Sequence, residues 1–280
     1  MRRPASRRPP KLPDVVEPTP TPSSEKAPPS ARQQLRNQHV VGAHARLGRE
    51  ELRARLRRVA NGDPEALLGL APFADPPVDI EMMLDVLARR LGYEERGANV
   101  VIDPDVAIAA MANAVERIRA VARHDGRIAV ATSRPASMLG VMQALACVAE
   151  IDGGTVLGMT RTTPFKIDGR SNRHLWWYGG VAAVSDGTSV IPVRRSDAAE
   201  EWLFLLGRPD LVIADGPFAG VALANGIETV AFADLDDAAL ALAAEAGLPV
   251  SLVPVDTGRP PMAYAPLLAT ALAPAVPAGS

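Results

Sequence analysis

The chain of 280 residues has a single cysteine, Cys147. That excludes a disulfide framework and any metal site built from several thiolates. Lysine is almost missing, with Lys11, Lys26 and Lys166 the only examples, so arginine carries the basic charge. No apolar run approaches the roughly 18 residues that a membrane helix needs. The arginines near the N-terminus are not followed by an apolar stretch, so no secretory signal is expected and a cytoplasmic protein is the simplest reading. Neither sign of charge dominates. The net value is -2 and the pI about 6.1, which gives the chain as a whole no drive toward nucleic acid or an anionic membrane. Catalytic signatures are missing too. There is no Gly-x-Ser-x-Gly elbow and no Ser-His-Asp order. No Gly-x-Gly-x-x-Gly follows the first strand, which ranks a dinucleotide-binding enzyme last. His39, His44, His124 and His174 show no metal-binding spacing.

What is present is a repeated unit in the last third. Leu211–Ala214 runs into Asp215, Thr229–Ala233 into Asp234, and Val250–Val255 into Asp256. Strands apolar on both faces are buried parallel strands, and Ala-rich helical stretches follow the first two. Further upstream, 127–132 and 155–159 predict strands, with a helix over about 136–150 between them. Cys147 falls on the apolar face of that helix and is expected in the core. Residues 176–184 and 188–193 predict two strands around Asp186-Gly187, a hairpin signal. Residues 160–174 carry Arg161, Lys166, Arg170, Arg173 and His174 without periodicity and predict a basic loop. Helices are predicted at about 196–206 and 264–273.

The N-terminal part predicts helices only. One, within 35–62, uses Leu47, Leu52, Leu56 and Val59 as its apolar stripe. Others cover 78–92 and 103–123, the latter opened by Asp103-Pro104. Residues 1–34 are rich in Pro, Ser, Thr and Arg and are expected to be disordered. Arg2, Arg3, Arg7, Arg8 and Lys11 make this tail the only segment suited to touch nucleic acid, lipid headgroups or an acidic partner. Three regions follow: a tail over 1–34, a helical part over 35–124, and an α/β domain over 125–275. The fold class is a three-layer, mostly parallel, Rossmann-like α/β sheet with an inserted hairpin.

In such a sheet the ligand sits in the crevice beyond the carboxyl ends of the strands. That rim holds the candidate chemistry. Asp215 and Asp234 offer hard oxygen ligands for Mg²⁺ or Mn²⁺. Asp215 and Asp236 are the candidate catalytic carboxylates, Asp236 as general base. Asp236 or Asp237 equally suits the N-cap of the following helix. The turn after the first strand of the α/β domain brings Ser133, Arg134 and Ser137 to a helix N-terminus, where they would hold a phosphate. The two serines could instead cap that helix. Arg194, just past a strand end, is a further phosphate contact, and Arg195 beside it adds charge. Gly216 and Gly220 allow either close approach to a ligand or tight helix packing.

These segments together resemble an actinobacterial family labelled phosphatase, over about residues 35 to 270. The resemblance rests on Val59-Ala60-Asn61-Gly62-Asp63 with Leu68-Gly69-Leu70, on Ala131-Thr132 with Pro135, on Pro209–Asp215 with Ala219-Gly220, and on Phe232-Ala233-Asp234 with Asp236. The chain departs from the family in three places. It has Ser133-Arg134-Pro135 where the family has Gly-His-Pro. It has Pro192-Val193-Arg194-Arg195 where the family tends to His-Thr-His-Ser. It has Asp215-Gly216-Pro217 where the family has Asp-His-Gly. The resemblance implies a small phosphorylated metabolite as ligand, with metal-dependent hydrolysis of its phosphate ester. The lost histidines leave open an alternative: a non-catalytic phospho-ligand binder or scaffold on the same fold.

Overall fold

A computed structural model describes residues 29–73, 79–159 and 173–273 of the protein. Residues 1–28 of the basic tail and the predicted basic loop up to 172 lie outside these residues; residues 31–34, expected to be disordered with the tail, are helical, with Ser30 accepting from the Gln33 N–H.

The chain opens with helix α1 (Ala31–Asn37), strand β1 (Gly42–Gly48), helices α2 (Arg49–Ala60), α3 (Pro64–Leu67) and α4 (Ile80–Leu91), and strands β2 (Tyr93–Arg96) and β3 (Asn99–Ile102). This departs from the purely helical expectation. The apolar positions assigned to one helix within 35–62 are split between a strand carrying Leu47 and a helix burying Leu52, Leu56 and Val59. His39, with φ 56°, and Gly42, with φ 81°, turn the chain from α1 into β1. β1, β3 and β2 then form a small antiparallel sheet in that order.

The second part follows the expected layout. Helix α5 (Pro104–Ala122) is capped by Asp103, whose carboxylate accepts from the Asp105 N–H. Then come strand β4 (Arg127–Ala131), helix α6 (Pro135–Ile151) and strand β5 (Thr155–Leu157). Strands β6 (His174–Tyr178), β7 (Val181–Ser185) and β8 (Val190–Ile191) lead to helix α7 (Asp197–Leu206). The chain ends with strand β9 (Leu211–Asp215), helix α8 (Gly216–Ala224), strand β10 (Thr229–Ala233), helix α9 (Ala238–Glu245), strand β11 (Val250–Pro254) and helix α10 (Ala265–Leu272). The single strand predicted over 176–184 is two strands. Gly179 (φ 56°) and Gly180 (φ 80°) turn β6 back onto β7 as an antiparallel hairpin.

The large sheet runs β11-β10-β9-β4-β7-β6, with β5 on the first half of β4 and β8 on β7. β11, β10, β9, β4, β5 and β7 are parallel, while β6 and β8 run against β7. From β4 the chain first moves toward β5 and β7, then returns to β9 and continues the other way. Right-handed crossovers therefore put α6 on one face and α8 and α9 on the other, giving three layers. The switch of direction lies between β4 and β9, where a ligand crevice is expected. Helix α8 has no polar face: Gly216 through Leu223 are all buried. A helix apolar all round is an interior helix. Gly220 lets it in, since a Cβ there would come 2.1 Å from the Leu68 carbonyl oxygen. On α6 the buried residues include Val141, Met142, Leu145, Ala146 and Ala149; Cys147 falls off that stripe and is exposed, not in the core.

Candidate functional site

The carboxyl ends of β4, β9, β10 and β11 form one rim, and the acid tips of the last three meet different partners. At β9, Asp215 is fully buried. Its Oδ2 accepts from the Thr132 hydroxyl at 2.6 Å, and its Oδ1 accepts from the Ser133 N–H at 2.6 Å and from the Ser133 hydroxyl. Gly216 has φ 50°, and a Cβ there would sit 2.5 Å from Ser133 Oγ. The β4–β9 crevice is thus closed by a polar clamp. Asp215 points at Thr132 and Ser133, and it is not among the residues that gather around Asp234.

At β10 and β11 the partner comes from the small sheet. The Asp256 N–H donates to the Val40 carbonyl at 2.9 Å, which ties the entry of β1 to the end of β11. β1 then carries His44 onto the rim. Its Nε2 lies 2.8 Å from Asp234 Oδ1 and 3.8 Å from Asp256 Oδ2, and these side chains are almost wholly buried. Nδ1 accepts backbone N–H bonds from Leu47 at 3.0 Å and Arg46 at 3.2 Å. The ring hydrogen is therefore on Nε2, which donates to Asp234. Asp256 Oδ1 accepts from the Gly258 N–H at 2.9 Å and from Arg46 Nη2 at 3.2 Å, whereas Oδ2 is buried with no hydrogen bond. The buried Tyr264 hydroxyl braces the turn, donating to the Asp256 carbonyl at 2.7 Å.

His44, Asp234 and Asp256 each offer one ligand atom, all within 4.8 Å of one another, a group that can hold a metal ion. Asp256 Oδ2 has no hydrogen bond among the described residues, although His44 Nε2 at 3.8 Å and Arg259 Nη1 at 3.9 Å face it, so it has room for a closer ligand. Burial pushes the Asp234 carboxyl up, and neighbouring Asp236 and Asp256 push the same way against His44. Burial works against protonated His44, but its hydrogen bond to Asp234 and the charges of Asp234, Asp256 and Asp236 hold its pKa above the ordinary value. A cation here competes with the ring hydrogen for the same space.

Beside this group Arg134 forks onto Asp237, with Nη1 to Oδ2 at 2.9 Å and Nη2 to Oδ1 at 3.0 Å. Asp237 stands at the N-cap position of α9 but makes no cap bond there. Asp236 is shared between Arg55 Nη1 at 2.6 Å and Arg134 Nη2 at 3.4 Å. The two sides of the fork pull apart. Burial pushes the Asp237 carboxyl up to about 7, with Asp236 and Asp234 adding to the effect and Arg134 opposing it. Despite its own burial, Arg134 is held well above its usual pKa by Asp237 and Asp236. The two-toothed geometry is that of a charge-assisted pair in which Arg134 stays charged.

These groups face a cavity of about 580 Å³. Of the candidate site residues, Ser133, Arg134, Ser137, Arg194, Asp234 and Asp236 line it, and Asp215 does not. Several are already engaged. The Ser133 hydroxyl bonds Asp215, Arg134 bonds Asp237, and the Ser137 hydroxyl donates to the Thr257 carbonyl at 2.6 Å. Neither serine caps α6, which has no side-chain cap. His44, Arg46 and Arg259 also line the cavity and were not assigned from sequence. The only local hint of their role is that Gly42 and Gly48 bracket β1. His39 and His124 are exposed, and His174 lies on β6.

Two comparisons bear on these residues. A family model described as Phosphatase matches residues 29–278. Phosphatase SCO2771 of Streptomyces coelicolor is 30% identical over 221 residues, covering 74% of this chain and 80% of the relative.

Proposed function

This chain belongs to the phosphatase family, and from that premise we propose that its cavity hydrolyses the phosphate ester of a small phosphorylated metabolite with the help of a divalent cation. The observation that carries the reading is the buried Asp256 Oδ2, which no hydrogen bond among the described residues satisfies, beside His44 and Asp234 and next to a cavity rich in arginine. Three further arginines do not face it alone: Arg134 and Arg55 are compensated by Asp236 and Asp237, and Arg58 by Asp63 and Glu65. Among the described residues Arg46 and Arg259 share Asp256 as their acid, at 3.2 and 3.9 Å, and Arg259 Nε is buried with no hydrogen bond. They are the groups with capacity left for phosphate oxygens. Ser133 and Ser137 act through the backbone and Asp215 instead.

The cation would be held by Asp234, Asp256 and His44, the last after giving up its Nε2 hydrogen. A ring nitrogen among the donors favours Zn²⁺ or Mn²⁺ over Mg²⁺. A cation held there would supply Lewis-acid polarisation of a phosphoryl oxygen and would lower the pKa of a water. Asp236 lies on the cavity, where its carboxylate could serve as a general base. Asp215 serves as a positioning residue that fixes the Thr132–Ser133 turn.

A second reading has its own support. The positions where the family's His-containing motifs differ, Arg134, Pro192, Arg194 and Gly216, all line this cavity. A site that exchanged ring nitrogens for guanidinium groups gains anion affinity and loses proton shuttles. On that reading the protein binds a phosphorylated ligand without turning it over. Phosphate release from a panel of phosphate monoesters, with and without Zn²⁺, Mn²⁺ and Mg²⁺, decides between them. Cation-dependent turnover that His44→Ala and Asp256→Asn abolish is the expected result. Monoester binding without turnover establishes the second reading, and neither binding nor turnover sinks both.

A further inference from the structure

The cavity shares Glu65, Pro192, Val193 and Arg194 with a smaller pocket of about 210 Å³, so the two adjoin. The charged lining of the smaller pocket is Arg173, Arg194, Arg195 and Glu65. Glu65 is already taken by Arg58 Nη2 at 3.3 Å, and Arg195 pairs with Asp197 at 3.2 Å. Arg194 has no ion pair or hydrogen bond among the described residues. Its backbone is nevertheless held in place, because the Val193 N–H donates to the Ser133 carbonyl at 2.9 Å. A guanidinium without a partner among the described residues, next to a held backbone at the junction of two pockets, is suited to bind an anion.

Uncompensated positive charge therefore occurs in two separate places. Arg46 and Arg259 stand at the β11 end beside Asp256. Arg194 stands by the turn after β4, three strand spacings away, or about 14 Å at the level of the sheet. Long, flexible arginine side chains can narrow that gap, so a linker of about six carbons is a suitable probe length. A single phosphate answers only one of the two places. We propose that the substrate is a two-ended anion: the scissile phosphate lies at Arg46 and Arg259, and a second anionic group, phosphate or carboxylate, is read by Arg194 in the smaller pocket. This rests on the phosphate-binding reading of the main cavity and adds the class of substrate to it.

The test is binding calorimetry on the full chain with three matched probes: hexyl phosphate, 1,6-hexanediol bisphosphate, and the phosphate ester of 6-hydroxyhexanoate. The expected result is that one or both two-ended probes bind about tenfold or more tighter than hexyl phosphate, as charge-assisted hydrogen bonds allow. Arg194→Ala collapses that ratio toward one. Which two-ended probe wins tells a second phosphate from a carboxylate. Equal affinity for all three overturns the proposal while leaving the phosphate site standing. A ratio that survives Arg194→Ala also overturns it. If no probe binds, the reading of the main cavity fails with it.

Discussion

Asp215 and Asp256 both stand at the carboxyl ends of parallel strands, β9 and β11, with β10 between them, yet they do opposite things. Asp215 is saturated by Thr132 and Ser133, donors from the adjacent strand end. Asp256 keeps one oxygen buried and unpartnered, close to a second acid and a histidine. The first is a structural clamp at the point where the chain reverses its course through the sheet. The second leaves an oxygen without a hydrogen bond beside a cavity. An acid at a strand tip is therefore not a role in itself. The supply of donors around it decides whether it holds the fold or waits for a ligand.

Substitution at the two acids should break the symmetry most plainly. Asp215→Ala leaves three buried donors without an acceptor, which costs about 3 kcal/mol or more and lowers Tm by roughly 6–12 °C in a domain this size. Asp256→Asn should leave Tm within a few degrees and instead abolish any stabilisation by Zn²⁺ or Mn²⁺. Thermal melts of both variants with and without cation check this; equal losses would erase the contrast. The clamp is tested again by Gly216→Ala, where the new Cβ meets Ser133 Oγ at positive φ. Overpacking of this kind costs about 1–3 kcal/mol, read from denaturant midpoints.

Acidity sharpens the other half of the comparison. Asp237 and Asp234 have pKa values raised by burial, and His44 is raised by its carboxylate partners. Groups with raised folded-state values contribute stability that is complete below their unfolded values and fades as pH rises through the folded ones. For Asp237 that window runs from the ordinary carboxylate range to about 7, and for His44 it lies above the usual histidine value. Stability should thus fall as pH rises from about 4 to 7, and Asp237→Asn should flatten the slope in pH-resolved melts. An unchanged slope would remove the acid cluster from the account. The smallest effect is expected at Ser137. Ser137→Ala loses its bond to the Thr257 carbonyl, about 1 kcal/mol, with hexyl phosphate affinity within twofold. A tenfold loss would return Ser137 to the phosphate site.

The parallel strands and their helices were legible because their pattern is local. Strands β9 and β10 are buried along their whole length, as runs apolar on both faces require. The small sheet was not legible. Leu47, Leu52, Leu56 and Val59 fall at helical spacing across a real boundary at Gly48, so the period masked the change from strand to helix. His44 was lost with it. No metal spacing marks this residue, because its partners lie 190 and 212 positions away and meet it only through tertiary contact. Likewise nothing local separates Asp237 as a cap from Asp237 as the partner of Arg134.

The sequence alone determined the layered α/β sheet, the edge on which acids and arginines gather, and the resemblance to phosphatases, since these follow from short-range periodicity and motif order. Only the tertiary structure decided which acid is spent and which is open. That depends on where the free hydrogen-bond donors of distant segments fall. β1 brings a ring to Asp234 and Asp256, while β4 brings two hydroxyls and an N–H to Asp215.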